Sequence, residues 1–273
     1  MMHQVEFLIE GYLLPPTIGR LSISEDLILE SVWRTGNESR LNHEPTSYAI
    51  AYVGVAAPEK SNYFPTARDH LEFFLLIYSL ISGQPVTSMM GIGTTLNNIA
   101  SLGTRRFTWP SFEKIHVQTE SIDGFFCKPI LDAKKLFLEL LPDRRRIMES
   151  SLGLALTFYY FAVVASIKRY EEAVIDLMIA GEALLIDKDE SITGPLSRRL
   201  STLIADKDTE RAQISKKMRE LYDLRSDIVH GRGKKPSLDD VRVLSNYVRR
   251  AVERGLSLRD LSKEDLLAKL DKA

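Results

Sequence analysis

The sequence predicts an α+β chain: a β-rich N-terminal domain carrying one inserted helix, then an all-α helical bundle. Three observations lead there. Runs of β-branched and aromatic residues, punctuated by proline and glycine, fill the first half. From about Leu131 onward glycine and proline thin out, and apolar residues recur with helical spacing. The length of 273 residues suits two domains of ordinary size, placed here at 1–125 and 126–273.

In the first domain, His3–Leu14, Leu27–Trp33 and Thr46–Ala57 read as strands, with Pro15, Pro16 and Gly19 breaking the chain between the first two. Ala67–Ser82 reads as a helix that stops at Gly83 and Pro85. Val86–Thr94 and Ile115–Thr119 are weaker strand signals. In the second domain the spacing predicts helices at about 129–140, 143–166, 169–187, 194–205, 208–230, 237–255 and 262–271. Ser237 with Asp240, and Ser262 with Asp265, are capping pairs, in which a hydroxyl accepts an otherwise orphaned backbone N–H at a helix start. Gly231 and Gly233 suit the C-terminal cap of the helix before them.

A chain that is 44% hydrophobic and 27% charged is globular in composition. The single cysteine, Cys127, excludes an intrachain disulfide framework and a four-cysteine zinc site, and fits a reducing, cytoplasmic setting. The N-terminal MMHQVEFLIEGYL has no basic leader before an apolar core, so no signal peptide is expected. The longest apolar run, Leu152–Ala165, falls short of the ~18–20 residues needed to span a bilayer. No membrane partner is expected. The net charge of −1 conceals a basic stretch: Lys216–Arg254 holds eleven Lys and Arg against six Asp and Glu. That excess suits a polyanion, and equally suits a solvated helical face.

The chemistry-bearing constellation lies within Leu221–Gly231, LYDLRSDIVHG. Arg225 and His230 are five apart, about 140° around an ideal helix, whereas Ser226 and His230, four apart, share a face. His230 falls in the last turn, where orphan carbonyls and the helix dipole favour a protonated imidazole suited to acid–base work. Spacing alone fits a simple capping histidine better than a catalytic one. Asp223 and Asp227 flank Arg225 and can orient it, or stand as exposed charges; Tyr222 reads more as packing than as cleft lining. Glu182 lies on a largely apolar helix, where Arg198 or Arg199 is the expected neutralising partner. His3, His43, His70 and His116 have no metal-ligand spacing, and Gly91-Ile92-Gly93 lacks the third glycine of a dinucleotide loop. No cofactor and no metal are expected.

LYDLRSDIVHG resembles the RxxxxH motif of HEPN domains, in the form found in Apea-like HEPN proteins, where a tyrosine and an aspartate precede the arginine. Phe158–Ile186 is similar to that family's first helix pair with its EALL ending. Leu196–Leu203 is similar to the arginine-containing helix that follows, and Leu244–Arg254 to the closing helix. The resemblance implies a four- or five-helix bundle that forms a homodimer and sets two motifs side by side in a cleft. It implies a metal-independent endoribonuclease acting on RNA such as tRNA, in phage defence or toxin-like growth arrest. His230 would move the proton as the ribose 2′-hydroxyl attacks, and Arg225 would hold the phosphate, with Ser226, Asp227, Asp223 and Tyr222 in support. Ser226 departs from the Asn, Asp or His that many active members carry there. The alternative is a non-catalytic HEPN module that binds RNA, a nucleotide or a protein partner. GYLLPPTIGRLSIS and LEFFLLIYSLISGQPV are similar to the β-rich region preceding HEPN in Apea-like proteins. That likeness implies a sensing or regulatory domain answering to a ligand or protein, or a structural extension.

Overall fold

A computed structural model describes residues 2–10, 20–32, 48–56, 63–84, 87–95, 124–166 and 169–272. Across them the chain is mostly helical with a minor β component, and it divides into two compact units, Met1–Pro142 and Asp143–Ala273.

In the first unit, β1 (Met2–Glu10), β2 (Arg20–Ser22), β3 (Leu27–Val32), β4 (Tyr48–Ala56) and β5 (Thr87–Thr95) form an antiparallel sheet in the order β2-β3-β4-β1-β5. Its register pairs Val5 with Val53 and with Gly93, and slips at Leu8/Ile9 on the β5 side. Residues 11–14 and Trp33, expected to extend the strands, and the candidate strand Ile115–Thr119 lie outside the described residues. Helix α1 (Tyr63–Ser82) begins ahead of the expected Ala67 and ends, as expected, at Gly83, whose φ of +66° few other residues adopt. Its residues from Phe73 to Leu80 are all buried, a helix apolar all round and therefore covered on more than one side.

One cover is α2 (Gly124–Leu140): Phe137 meets the rings of His70, Phe73 and Phe74 at 5.3, 5.8 and 5.5 Å between centroids. This corrects the expected boundary. The helix read at 129–140 belongs with the first unit, and the division falls after Pro142 rather than after 125. The aromatic contacts join positions far apart in sequence, which no periodicity signals.

The second unit is all helix: α3 (Arg144–Met148), α4 (Ser151–Ala165), α5 (Tyr170–Leu185), α6 (Thr193–Ile204), α7 (Asp208–Val229), α8 (Leu238–Ser257) and α9 (Lys263–Asp271). The single helix expected over 143–166 is broken. Ser150 is extended (φ −104°, ψ 170°), and its hydroxyl accepts from the N–H groups of Leu152 and Gly153, starting α4 afresh. Gly153 permits the break, because a Cβ there would lie 2.6 Å from the Met148 Cα. The two capping pairs form as expected: Ser237 accepts from the Asp240 N–H while Asp240 accepts from the Ser237 N–H, and Ser262 accepts from the Asp265 N–H.

Tyr159, Leu156, Leu177, Met178, Leu200, Met218, Leu221, Leu244 and Val248 form the shared core. On α8 the buried positions Val241, Leu244, Val248, Ala251 with Val252, and Gly255 with Leu256 return at each turn, the signature of one buried face. Among the described residues no single helix is long and apolar enough to cross a membrane.

Candidate functional site

The site is built on the C-terminal end of α7. Polar residues dominate this helix, and it is anchored through only three fully buried side chains, Ile214, Met218 and Leu221. Past Leu221 the helix leaves the core, so Tyr222, Leu224, Arg225, Ser226, Asp227 and Ile228 are half-buried and Val229 and His230 exposed.

Its end is set by local chemistry. His230 is the C-cap residue, and Gly231 follows in the left-handed conformation at φ +65°. The Gly231 N–H donates to the Ile228 carbonyl at 3.1 Å, and the Arg232 N–H reaches back to the Asp227 carbonyl at 2.9 Å. These two bonds make a Schellman motif, which satisfies carbonyls the helix would otherwise orphan. The His230 N–H itself donates to the Ser226 carbonyl at 3.0 Å, so the imidazole is carried on a fixed backbone while its ring stands in solvent.

Arg225 sits one turn further in. Its guanidinium carbon lies 5.8 Å from the centre of the Tyr222 ring, a cation–π approach across one turn. Tyr222 is therefore neither wholly core nor free; it flanks the arginine. The Arg225 Nε is buried and has no hydrogen-bond partner, and Arg225 forms no ion pair among the described residues. A buried Oε1 of Glu182, on α5, is likewise without a partner. Burial pushes the Glu182 carboxyl above the usual carboxylate range, and the positive charge of Arg225 pulls it partly back. The two side chains thus face one another electrostatically without closing a salt bridge.

That arrangement corrects the expected partner of Glu182. Arg199 is spent elsewhere: its guanidinium binds Glu190 at 2.6 Å, Asp271 at 2.7 Å and the Leu185 carbonyl at 2.9 Å. Arg198 also goes to Asp271, at 2.8 Å. The charge near Glu182 is Arg225, from a helix more than forty positions along the chain, and no local spacing announces it.

The flanking aspartates divide. Asp227 accepts from Lys234 at 2.7 Å and Arg232 at 3.2 Å, two residues of the segment after the helix that sequence reasoning did not single out. Those cations, Lys234 first, hold its carboxyl below the usual range. Asp227 therefore ties down the turn that carries His230 rather than orienting Arg225. Asp223 is exposed, and Ser226 contributes its carbonyl to the His230 N–H.

Much of the basic stretch is engaged: Lys217 with Asp240, Arg249 with Glu253, and Arg250 with Glu210 and the Ile204 carbonyl. Lys216, Arg219, Lys235, Arg242 and Arg254 are exposed and form no ion pair among the described residues. Among the described residues no group of three or more His, Cys, Asp or Glu is placed to hold a metal ion.

Chemically, the end of α7 offers an uncommitted guanidinium, an exposed imidazole and a carboxylate short of partners. No protein-family model, curated protein or solved structure matches this chain.

Proposed function

We propose that the protein is a HEPN-type, metal-independent endoribonuclease of the cytoplasm, acting as a homodimer at the RxxxxH segment of α7. One observation carries the reading. Arg225 is half-buried yet committed to no carboxylate, and it stands one turn from a histidine held in solvent by a capped helix end. An arginine kept in reserve is what phosphate binding requires, since its planar donor fork matches two phosphate oxygens.

In this reading Arg225 grips the scissile phosphate and offsets its growing charge, while Glu182 positions the guanidinium from behind. His230 takes the proton from the ribose 2′-hydroxyl as that oxygen attacks the adjacent phosphorus. The bond to the 5′-oxygen breaks, that oxygen takes a proton from water, and a 2′,3′-cyclic phosphate remains. Val229, next to His230, exposes 50% of its surface, apolar area suited to a second chain that would bring two motifs together. The exposed cations Lys216, Arg219, Lys235, Arg242 and Arg254 favour a polyanionic substrate, single-stranded RNA or tRNA. The N-terminal unit, as a β-rich sensing or regulatory domain, would set when the nuclease acts, which fits phage defence or toxin-like growth arrest.

The same exposed cations favour one other reading, a non-catalytic module that binds RNA without turnover. A mixed-sequence RNA and its 2′-deoxy counterpart separate the two. The nuclease cuts the first, leaving cyclic phosphate ends, and spares the second. Binding of both without cleavage would replace the nuclease with the binding module.

A further inference from the structure

A second feature of the helical unit is a cavity of ≈560 Å³ where α3, α4, α5, α8 and α9 meet. None of its lining residues belongs to α7. Its volume falls within the roughly 300–1,000 Å³ of ordinary small-molecule sites. Its lining is divided by chemistry. Leu152, Leu184 and Leu266, all buried, give an apolar floor. Gly255 keeps the floor open beside them: a Cβ there would come within 3.0 Å of the Leu152 side chain.

The lining cations are Arg146, Arg259 and Lys263, against one lining carboxylate, Asp260. Arg259 is steadied by Asp143 at 3.4 Å and the Leu256 carbonyl at 3.2 Å, while Arg146 reaches Asp143 at 3.1 Å and Asp260 at 3.0 Å. Lys263 differs. It is half-buried, and it forms no ion pair or hydrogen bond among the described residues. Burial holds its ammonium below the usual lysine range, with Asp187 and Glu190 too weak, against Arg199, to restore it. A desolvated cation with no ion-pair partner among the described residues, on the wall of a cavity, is the condition that an anionic ligand relieves. The starts of α4 and α9, at Ser150 and Ser262, also line the cavity and add partial positive charge to it.

We propose that this cavity binds a small amphiphilic anion, its acidic head at Lys263, Arg259 and Arg146 and its apolar body on Leu152, Leu184 and Leu266. Neither half alone explains the lining: an inorganic anion has no use for the leucine floor, and a neutral apolar molecule leaves Lys263 uncompensated. The site shares no residue with the α7 constellation, so it stands or falls separately from the nuclease reading.

Calorimetric titration of the full chain with decanoate, beside inorganic phosphate, tests it. One decanoate should bind per chain, with a dissociation constant on the order of 10–100 μM, and phosphate should bind far more weakly. Lys263→Glu should weaken decanoate at least about tenfold, and Leu261→Glu, at the exposed rim, should weaken it as well. Asp260→Asn, an exposed position whose change removes one of the two carboxylates on Arg146 and the one lining carboxylate, should tighten it about threefold, which tests the proposal even if Lys263→Glu fails to fold. RNA cleavage by Lys263→Glu without ligand should equal wild type, which keeps the two sites distinguishable. No binding up to about 1 mM decanoate, phosphate binding as tightly as decanoate, or affinity indifferent to both Lys263→Glu and Asp260→Asn would overturn the proposal.

Discussion

Arg199 and Arg225 belong to the same helical unit, and neither guanidinium is freely exposed, yet their surroundings are opposite. Arg199 is 6% exposed and saturated: two carboxylates and a backbone carbonyl take its donors, tying α6 to the turn before it and to α9. Arg225 has one aromatic neighbour, a carboxylate that does not close on it, and a buried Nε left without a partner. A buried charge is tolerated when its partners are complete, as at Arg199. Where they are incomplete, the unpaired donor costs folding free energy that a hydrogen-bond acceptor, water or a bound group, offsets. The contrast separates an arginine whose donors are filled from one whose donors are not.

The largest effect expected from breaking this comparison is catalytic. Arg225→Ala should lower RNA cleavage by roughly 10²–10⁴, measured as initial rate on a labelled RNA, with a thermal midpoint no lower than wild type. Arg199→Met should do the reverse. It strands Glu190 and Asp271 beside an apolar side chain and should cost about 3 kcal/mol in urea unfolding, with the cleavage rate of the folded fraction preserved.

The pH dependence sharpens the same point. Arg199, then Arg198, hold the Asp271 carboxyl down to about 2. Its pKa is lower folded than unfolded, so its contribution is complete above the unfolded value of about 4 and fades as pH falls toward about 2. Wild-type stability should decline across that window, and Arg199→Met should flatten the decline. Glu182 carries the opposite sign. Its carboxyl is pushed up by burial, so ionising it lowers stability as pH rises. Glu182→Gln should hold or raise stability at neutral pH, by less than about 1 kcal/mol, while reducing cleavage through the misplaced guanidinium.

A smaller effect falls on the helix end. Gly231→Ala, at φ +65°, should cost about 1 kcal/mol in unfolding and shift the turn that carries His230.

What the sequence disclosed followed the range of the physics involved. Caps are local, and the starts of α8 and α9 were legible from Ser237, Asp240, Ser262 and Asp265 alone. The end of α7 was legible from Gly231 for the same reason. The break at Ser150 was missed because the apolar run on either side reads as continuous helix, while the hydroxyl that interrupts it is one serine among three polar residues, Glu149 to Ser151. Partnerships across the bundle were not legible. Arg199 finds Asp271 72 positions away, Glu182 meets Arg225 instead, and α2 joins the first unit through Phe137. The motif residues themselves were singled out, but not the role of Asp227, whose partners Arg232 and Lys234 lie beyond the helix.

The most direct test is cleavage of mixed-sequence RNA by the purified chain in EDTA, wild type beside His230→Ala. The account predicts metal-independent cutting by the wild type and a loss of roughly 10²–10⁴ in the variant, both chains being equally folded. Equal cleavage by the two would remove His230 from the chemistry and contradict the account at its centre.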